Sequence, residues 1–92
     1  MRFDWDAGNI DHVDEHGVTP DEAVEAFFNG LIWIAFQERH REIRRVVVGR
    51  TDTGRLLTVV YTLRDQKVRV VTALDASKPR RRLYRDRRGA DG

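Results

Sequence analysis

The chain has 92 residues, of which 40% are hydrophobic, so one domain with a small core is expected and a disordered composition is excluded. It has no cysteine, no apolar run as long as a membrane span and an acidic start unlike a signal peptide, which excludes disulfides and thiolate zinc and predicts a cytoplasmic protein. The net charge of +2 is unevenly divided: residues 1–38 hold nine acidic side chains and one basic, and residues 39–92 hold sixteen basic and six acidic. The basic part can bind phosphates, or the two parts can neutralise each other on folding.

The N-terminal residues predict a strand followed by a helix. RFDWD, residues 2–6, alternates as a strand does, and Asp6 suits a helix N-cap. Gly17 is expected at the C′ position of this first helix, which is predicted over residues 7–16.

The sequence VTPDEA predicts the start of a second helix that runs to about residue 28. Thr19 suits the N-cap, Pro20 the first helical position and Glu22 the reciprocal partner in a capping box. The NG pair that follows is expected to end the helix.

Four segments rich in β-branched or aromatic residues predict strands, at 31–37, 43–49, 55–63 and 67–73. Their connections are short, so they should form an antiparallel meander in which the most apolar segment, 55–63, is central. SKPRRRLYRDRR, residues 77–88, predicts a closing helix, and residues 88–92 are expected to fray. The chain therefore predicts a single α+β domain over residues 1–92, an antiparallel sheet of about four or five strands with two N-terminal helices and a basic C-terminal helix.

The order and spacing of many residues resemble the BrnT family of bacterial toxins. The opening FDWDAGNIDHVDEHGVTPDEA is similar to the start of that family, with matches at Phe3, Trp5, Asp6, Asn9, His16, Gly17, Val18, Thr19, Asp21, Glu22 and Ala23. The later part of the chain is similar to the rest, at Gly49, Gly54, Arg55, Leu56, Leu57, Val60, Thr62, Arg69, Ala73 and Tyr84. Only residues from about 30 to 42 lie outside the resemblance.

The resemblance implies a RelE-like ribonuclease toxin of a type II toxin–antitoxin pair, with RNA as its substrate and no cofactor. It also implies a cognate antitoxin with a DNA-binding region, through which the complex would bind operator DNA. Leu74 departs from the family, where an Arg is usual, and so does Arg80, where a Glu is usual. Both departures remove polar groups expected near the active face. The alternative is therefore a catalytically degenerate module that acts only through antitoxin and operator binding.

RNA cleavage without a metal requires a base for the 2′-hydroxyl, cations for the phosphate and an acid for the leaving oxygen. His40, Glu42 and Arg44 alternate, so in a strand they would share one face and supply a base, a carboxylate and a guanidinium. They can instead belong to a solvated loop with internal ion pairs. Tyr84 is a fourth catalytic candidate, which can stack on a base or donate a proton, or else anchor its helix to the sheet.

The other arginines predict contacts with RNA phosphates, because a guanidinium matches two phosphate oxygens and stays charged. The candidates are Arg45, Arg50, Arg55 and Arg69 on or beside strands, and Arg81, Arg82 and Arg85 on the last helix. His12 and His16 have a metal-binding spacing on the first helix, but the sequence offers no third ligand, so no metal site is predicted.

Overall fold

Seven elements follow one another in the computed structural model, which describes residues 1–88. The helices are α1 (Ala7–Asp14), α2 (Pro20–Phe28) and α3 (Lys78–Arg88), and the strands are β1 (Ile32–Arg39), β2 (Glu42–Arg50), β3 (Leu56–Arg64) and β4 (Lys67–Asp75). The strands form one antiparallel sheet in the order β1-β2-β3-β4. The predicted α+β class, meander and inner position of β3 are confirmed.

Both ends of α1 are fixed by local hydrogen bonds. Asp6 accepts from the backbone N–H of Asn9 at 3.2 Å, and the Asn9 side chain accepts from the backbone N–H of Asp6 at 2.8 Å. At the other end, Gly17 has φ +68°, its N–H donates to Asp14 O, and the Val18 N–H donates to Val13 O. This pattern is a Schellman motif, so the predicted role of Gly17 is confirmed, although the helix itself ends at Asp14 rather than at residue 16.

The predicted start of α2 is also confirmed. The Thr19 hydroxyl accepts from the Glu22 N–H at 3.1 Å, and the Glu22 carboxylate accepts from the Thr19 N–H at 3.1 Å, with Pro20 in the first turn. The Glu22 carboxyl has a lowered pKa, chiefly because of that backbone hydrogen bond.

The predicted N-terminal strand is wrong as a full element. Phe3 forms one isolated parallel bridge with Val68 of β4, supported by hydrogen bonds from Asp4 N to Val68 O and from Val68 N to Arg2 O, both 2.8 Å. The chain then turns at once into the N-cap of α1, so this segment is too short to become a fifth strand.

The turn between β1 and β2 corrects the interpretation of His40. His40 and Arg41 both have positive φ, 52° and 64°, and form the two-residue connection of a hairpin whose last pair is Arg39 with Glu42. Strand alternation therefore does not apply to His40, and it does not share a strand face with Glu42 and Arg44.

The sheet has two differently covered faces. On the α1–α2 face, Val47, Leu57 and Val59 pack with the two N-terminal helices in one buried cluster. On the opposite face, called the α3 face, Ile32 and Val48 pack with α3 in a second cluster. Alternation along each strand sends neighbouring side chains to these opposite faces.

Side chains of α3 donate hydrogen bonds to backbone carbonyls of β1 and of the segments just before β1 and just after β4. The Tyr84 hydroxyl donates to Gly30 O at 2.7 Å, Arg81 Nη1 donates to Ala76 O at 2.7 Å, and Arg87 Nη1 donates to Trp33 O at 2.9 Å. Arg88 is the last residue of the helix, and the rest of the segment expected to fray, residues 89–92, lies outside the described residues.

Candidate functional site

A polar cleft of about 220 Å³ lies on the α3 face, at the end of the sheet that carries both two-residue turns. Strands β2, β3 and β4 form its floor and α1 forms one wall. Three arginines, one carboxylate and one histidine line it, together with small or apolar residues: Gly8, Asn9, His12, Glu42, Arg44, Arg64, Arg69, Val70 and Val71. We call it the cationic cleft, because its guanidinium groups outnumber its carboxylate.

Glu42, at the start of β2, is oriented by Arg64, at the end of β3. Arg64 donates to Glu42 Oε2 from Nη2 at 3.0 Å and from Nε at 3.3 Å. Both bonds end on the same oxygen. Among residues 1–88, the other oxygen, Oε1, accepts no hydrogen bond and remains free to accept one from a ligand.

Arg69 of β4 is held by carboxylates of the segment that precedes α1. Its Nη1 lies 3.0 Å from Asp6 Oδ2 and 3.5 Å from Asp4 Oδ2. The hydrogen bond from Arg69 lowers the pKa of the Asp6 carboxyl, and the same contact raises the pKa of Arg69. Arg69 therefore lines the cleft with part of its charge already compensated.

Arg44 differs from the other two arginines. It is half-buried in the middle of the floor, and its Nε has no hydrogen-bond partner within the described part of the chain. A buried donor without a partner is costly, and native structures seldom keep one without a reason. The Thr72 hydroxyl on β4 is the other buried side-chain polar atom left unpaired within residues 1–88.

Helix α1 reaches the cleft because Asn9 fastens it to β4. The buried Asn9 amide donates to Val70 O at 3.1 Å and to Asp4 O at 2.9 Å. His12, one turn further along the same helix face, thereby lines the cleft. The sequence analysis did not predict this position for His12. The i, i+3 spacing places His12 on the same helix face as Asn9, but that spacing is informative only once Asn9 is known to be buried.

Only some of the predicted site residues meet in the cleft. Glu42, Arg44 and Arg69 do, whereas His40 lies in the exposed β1–β2 turn and is not among the lining residues. Tyr84 is buried on α3, with its hydroxyl bonded to the carbonyls of Gly30 and Asn29. The contacts of Tyr84 are those of an anchor between α3 and the sheet.

The predicted RNA-binding arginines of the strands also separate. Arg55 donates to Asp75 at 2.7 Å, to Glu22 at 3.2 Å and to the carbonyl of Gly17 at 2.8 Å, so it ties α2 to the sheet. Arg45 lies on the α1–α2 face, opposite Arg44. Arg50, the last residue of β2, is exposed beyond the cleft.

The arginines of α3 divide into bound and free groups. Arg81 is half-buried and bonded to Ala76 O, whereas Arg82 and Arg85 are exposed. Lys78, Pro79 and Arg82 line a separate shallow depression at the start of the helix.

Among residues 1–88, no helix is both long enough and apolar enough to cross a membrane. Within the same range, no three His, Asp or Glu side chains are grouped as metal ligands would be.

The fold and the cleft define a small α+β protein with a cationic site suited to an anionic ligand. Residues 5–79 match a family described as the ribonuclease toxin, BrnT, of type II toxin–antitoxin systems, and the chain belongs to this family. A comparison with curated proteins found no match. Membership confirms the resemblance seen in the sequence and implies an antitoxin partner. Most of α3, from residue 80 onward, lies beyond the matched range.

Proposed function

We propose that the protein is a metal-independent, RelE-like endoribonuclease that acts in the cytoplasm and cleaves RNA in the cationic cleft. The observation that carries the proposal is the unpaired, buried Nε of Arg44 beside the carboxylate of Glu42. Arg44 forms no ion pair with any of residues 1–88, so its guanidinium can hold a phosphate through charge-assisted hydrogen bonds. Arg64 and Arg69 also line the cleft, where negative charge builds during phosphoryl chemistry, but Arg64 is paired with Glu42 and Arg69 with Asp4 and Asp6, so Arg44 carries most of the available positive charge.

The proposed step transfers two protons. Glu42 Oε1 accepts the proton of a ribose 2′-hydroxyl, whose oxygen attacks the adjacent phosphorus and forms a 2′,3′-cyclic phosphate. The bond from phosphorus to the 5′-oxygen breaks, and His12, as an imidazolium, gives a proton to that leaving oxygen. Arg44 stabilises the phosphorane between the two. The arginines supply the stabilising charge, so the step requires no metal ion.

Flanking nucleotides are proposed to follow the exposed cations of α3. Arg82 and Arg85 are free to meet phosphates outside the cleft. Such contacts make affinity fall as salt rises, with little dependence on RNA sequence. The proposed antitoxin carries a DNA-binding region, and the complex binds operator DNA through it.

The test is cleavage of single-stranded RNA by the purified protein in the presence of a chelator, both as naked RNA and in a translating extract. We expect products with 2′,3′-cyclic phosphate ends from the wild type and from Arg2→Ala, which removes an exposed cation that does not line the cleft, but not from Arg44→Ala. A folded wild type that cleaves neither substrate would overturn the proposal.

One observation favours the alternative, a toxin-like module without catalysis. Leu74, where the family usually has Arg, pairs with Thr58, and Arg80, where it usually has Glu, donates to the Thr58 hydroxyl at 3.4 Å. The two departures are therefore neighbours on the α3 face. A Leu74→Arg, Arg80→Glu double variant that gains cleavage from an inert wild type would support the alternative.

A further inference from the structure

The α1–α2 face carries an exposed apolar surface at the end of the sheet opposite the covering helix. Trp33 and Phe36 of β1 are 44% and 68% exposed, and Ile43 of β2 and Leu63 of β3 are each 50% exposed. We call these four residues the apolar patch. An aromatic side chain presents about 150–250 Å², so the exposed parts of the patch amount to roughly 400 Å². This is about the size of the largest apolar patch on a typical monomer, a patch that is often functional.

The patch is uncovered because α2 packs over the other end of this face. Gly49 lies there directly beneath the carbonyl of Ala26, so close that a Cβ would collide with it. A row of aromatic rings continues from the covered end to the open end. The ring centroids are 5.0 Å apart for Phe27 and Tyr61, 6.5 Å for Tyr61 and Trp33, and 5.4 Å for Trp33 and Phe36. A row of aromatic side chains therefore connects the hydrophobic core to the surface.

Arg45 is a cation that lies among the apolar side chains of this patch. It is paired across the sheet with Phe36 on one side and Tyr61 on the other, two residues from Ile43. It forms no ion pair with any residue of the described range 1–88. A ligand for this face must therefore supply apolar side chains and one carboxylate at the position of Arg45.

We propose that the apolar patch and Arg45 form the docking surface of the antitoxin, which binds through an amphipathic segment whose apolar side chains surround an acidic residue. Family membership supplies the partner, and the unpaired Arg45 supplies the charge that the partner must complement. This proposal depends on the existence of an antitoxin partner and does not depend on RNA cleavage by the protein. The antitoxin would bind the protein on the face opposite the cationic cleft.

A second copy of this chain fits the same face less well. A two-fold contact places the same patch on both sides of the interface. Two Arg45 side chains would then meet within one apolar contact, and like charges at short distance repel. Glu38, the acidic side chain of β1, lies on this same face and pairs with Ile43. Dimerisation of the free protein is therefore measured as an alternative outcome.

Arg44 and Arg45 are adjacent in sequence but lie on opposite faces of β2, so the same substitution at each position tests one face against the other. The protein is produced with its cognate antitoxin, to be sought as a small reading frame adjacent to its own, and the dissociation constant of the pair is measured for the wild type, Arg45→Glu and Arg44→Glu. We expect roughly tenfold or greater weakening for Arg45→Glu and for the exposed Phe36→Ser, and little change for Arg44→Glu.

Weakening by Arg44→Glu alone, or equally by both reversals, would overturn the proposal, since the antitoxin would then cover the cleft. A dimer of the free wild type that Phe36→Ser dissolves would also overturn it, in favour of a second copy. Circular dichroism and RNA cleavage by Phe36→Ser check that the patch variants are folded. An inert wild type that still binds its antitoxin through Arg45 would refute RNA cleavage and leave the docking surface supported.

Discussion

Arg64 holds Glu42 by a single oxygen, with Nη2 3.0 Å and Nε 3.3 Å from Oε2. The carboxylate is therefore fixed in orientation, while Oε1 faces no donor from residues 1–88. A general base needs this combination, because it must stay in place and keep one acceptor free.

Replacing Glu42 by Gln tests that role. The amide keeps the shape but cannot take a proton, so we expect RNA cleavage to fall by about 10²–10⁴-fold. Thermal unfolding should change little, because the Gln amide oxygen can still accept the hydrogen bonds from Arg64, whose side chain is 53% exposed. Asp65→Asn, an exposed acid in the next turn, is the control. Full activity of Glu42→Gln would remove Glu42 from the mechanism.

Replacing Arg44 by Lys separates charge from geometry. Lysine keeps one positive charge but loses the planar fork, so cleavage should fall by about tenfold or more, and further in Arg44→Ala. Because the buried Nε of Arg44 has no partner among the described residues, Arg44→Met should not lower the melting temperature and can raise it. A large loss of stability in Arg44→Met would show that the residue is structural.

Tyr84→Phe should affect stability more than chemistry. The variant loses the hydroxyl that donates to Gly30 O and leaves that carbonyl unpaired, which should cost about 1 kcal/mol of unfolding free energy. Chemical denaturation measures the loss, with Leu83→Met as a neighbouring control on α3. A fall in cleavage of a hundredfold without loss of stability would instead give Tyr84 a role in catalysis.

Stability should decline on acidification because Arg55 lowers the pKa of its acidic partners. The hydrogen bond from Arg55 lowers the pKa of Asp75, and it adds to the backbone hydrogen bond that lowers the pKa of Glu22. A carboxyl with a depressed folded pKa stabilises the fold above its unfolded pKa of about 4, and this contribution is lost as the pH falls through the folded value.

Denaturation of the wild type and Arg55→Met between about pH 7 and 2 tests this expectation. The wild type should be more stable near neutrality, and the difference should shrink below about pH 4. The effect should be modest, because Asp75 is largely exposed. A constant difference across the range would contradict the linkage. Arg2→Met is the matched control.

Gly49→Ala should be strongly destabilising. The added methyl would collide with the carbonyl of Ala26, which is backbone and cannot rotate away, so α2 must shift on the sheet. Overpacking of this kind costs about 1–3 kcal/mol or more. Gly8→Ala, whose Cβ would lie 3.3 Å from the Asp6 carboxylate, should be far milder. Equal melting temperatures for the two variants would disprove the close packing of α2.

Local patterns predicted the fold well where the determinants are close in sequence. The capping box at Thr19 and the glycine stop at Gly17 are written in adjacent residues, and the strands follow from β-branched runs. The predicted N-terminal strand was too long, because the number of residues that pair around Phe3 depends on β4, which is distant in sequence.

The site was harder to predict because it depends on contacts between distant segments. Glu42 and Arg44 were found by alternation, but His40 was misassigned since the hairpin turn falls on it. Nothing near His12 reveals that Asn9, three residues earlier, bonds to Val70 O across 61 positions of sequence. Likewise, the ion pairs that hold Arg55 become visible only once the chain is folded.

Strand β2 belongs to two surfaces at once, since Glu42 and Arg44 face one side and Ile43 and Arg45 the other. Substitutions can change either surface separately, but an inserted or deleted residue in this hairpin would exchange them and present apolar groups to the cleft. The length of this hairpin should therefore be far less free to vary during evolution than its composition.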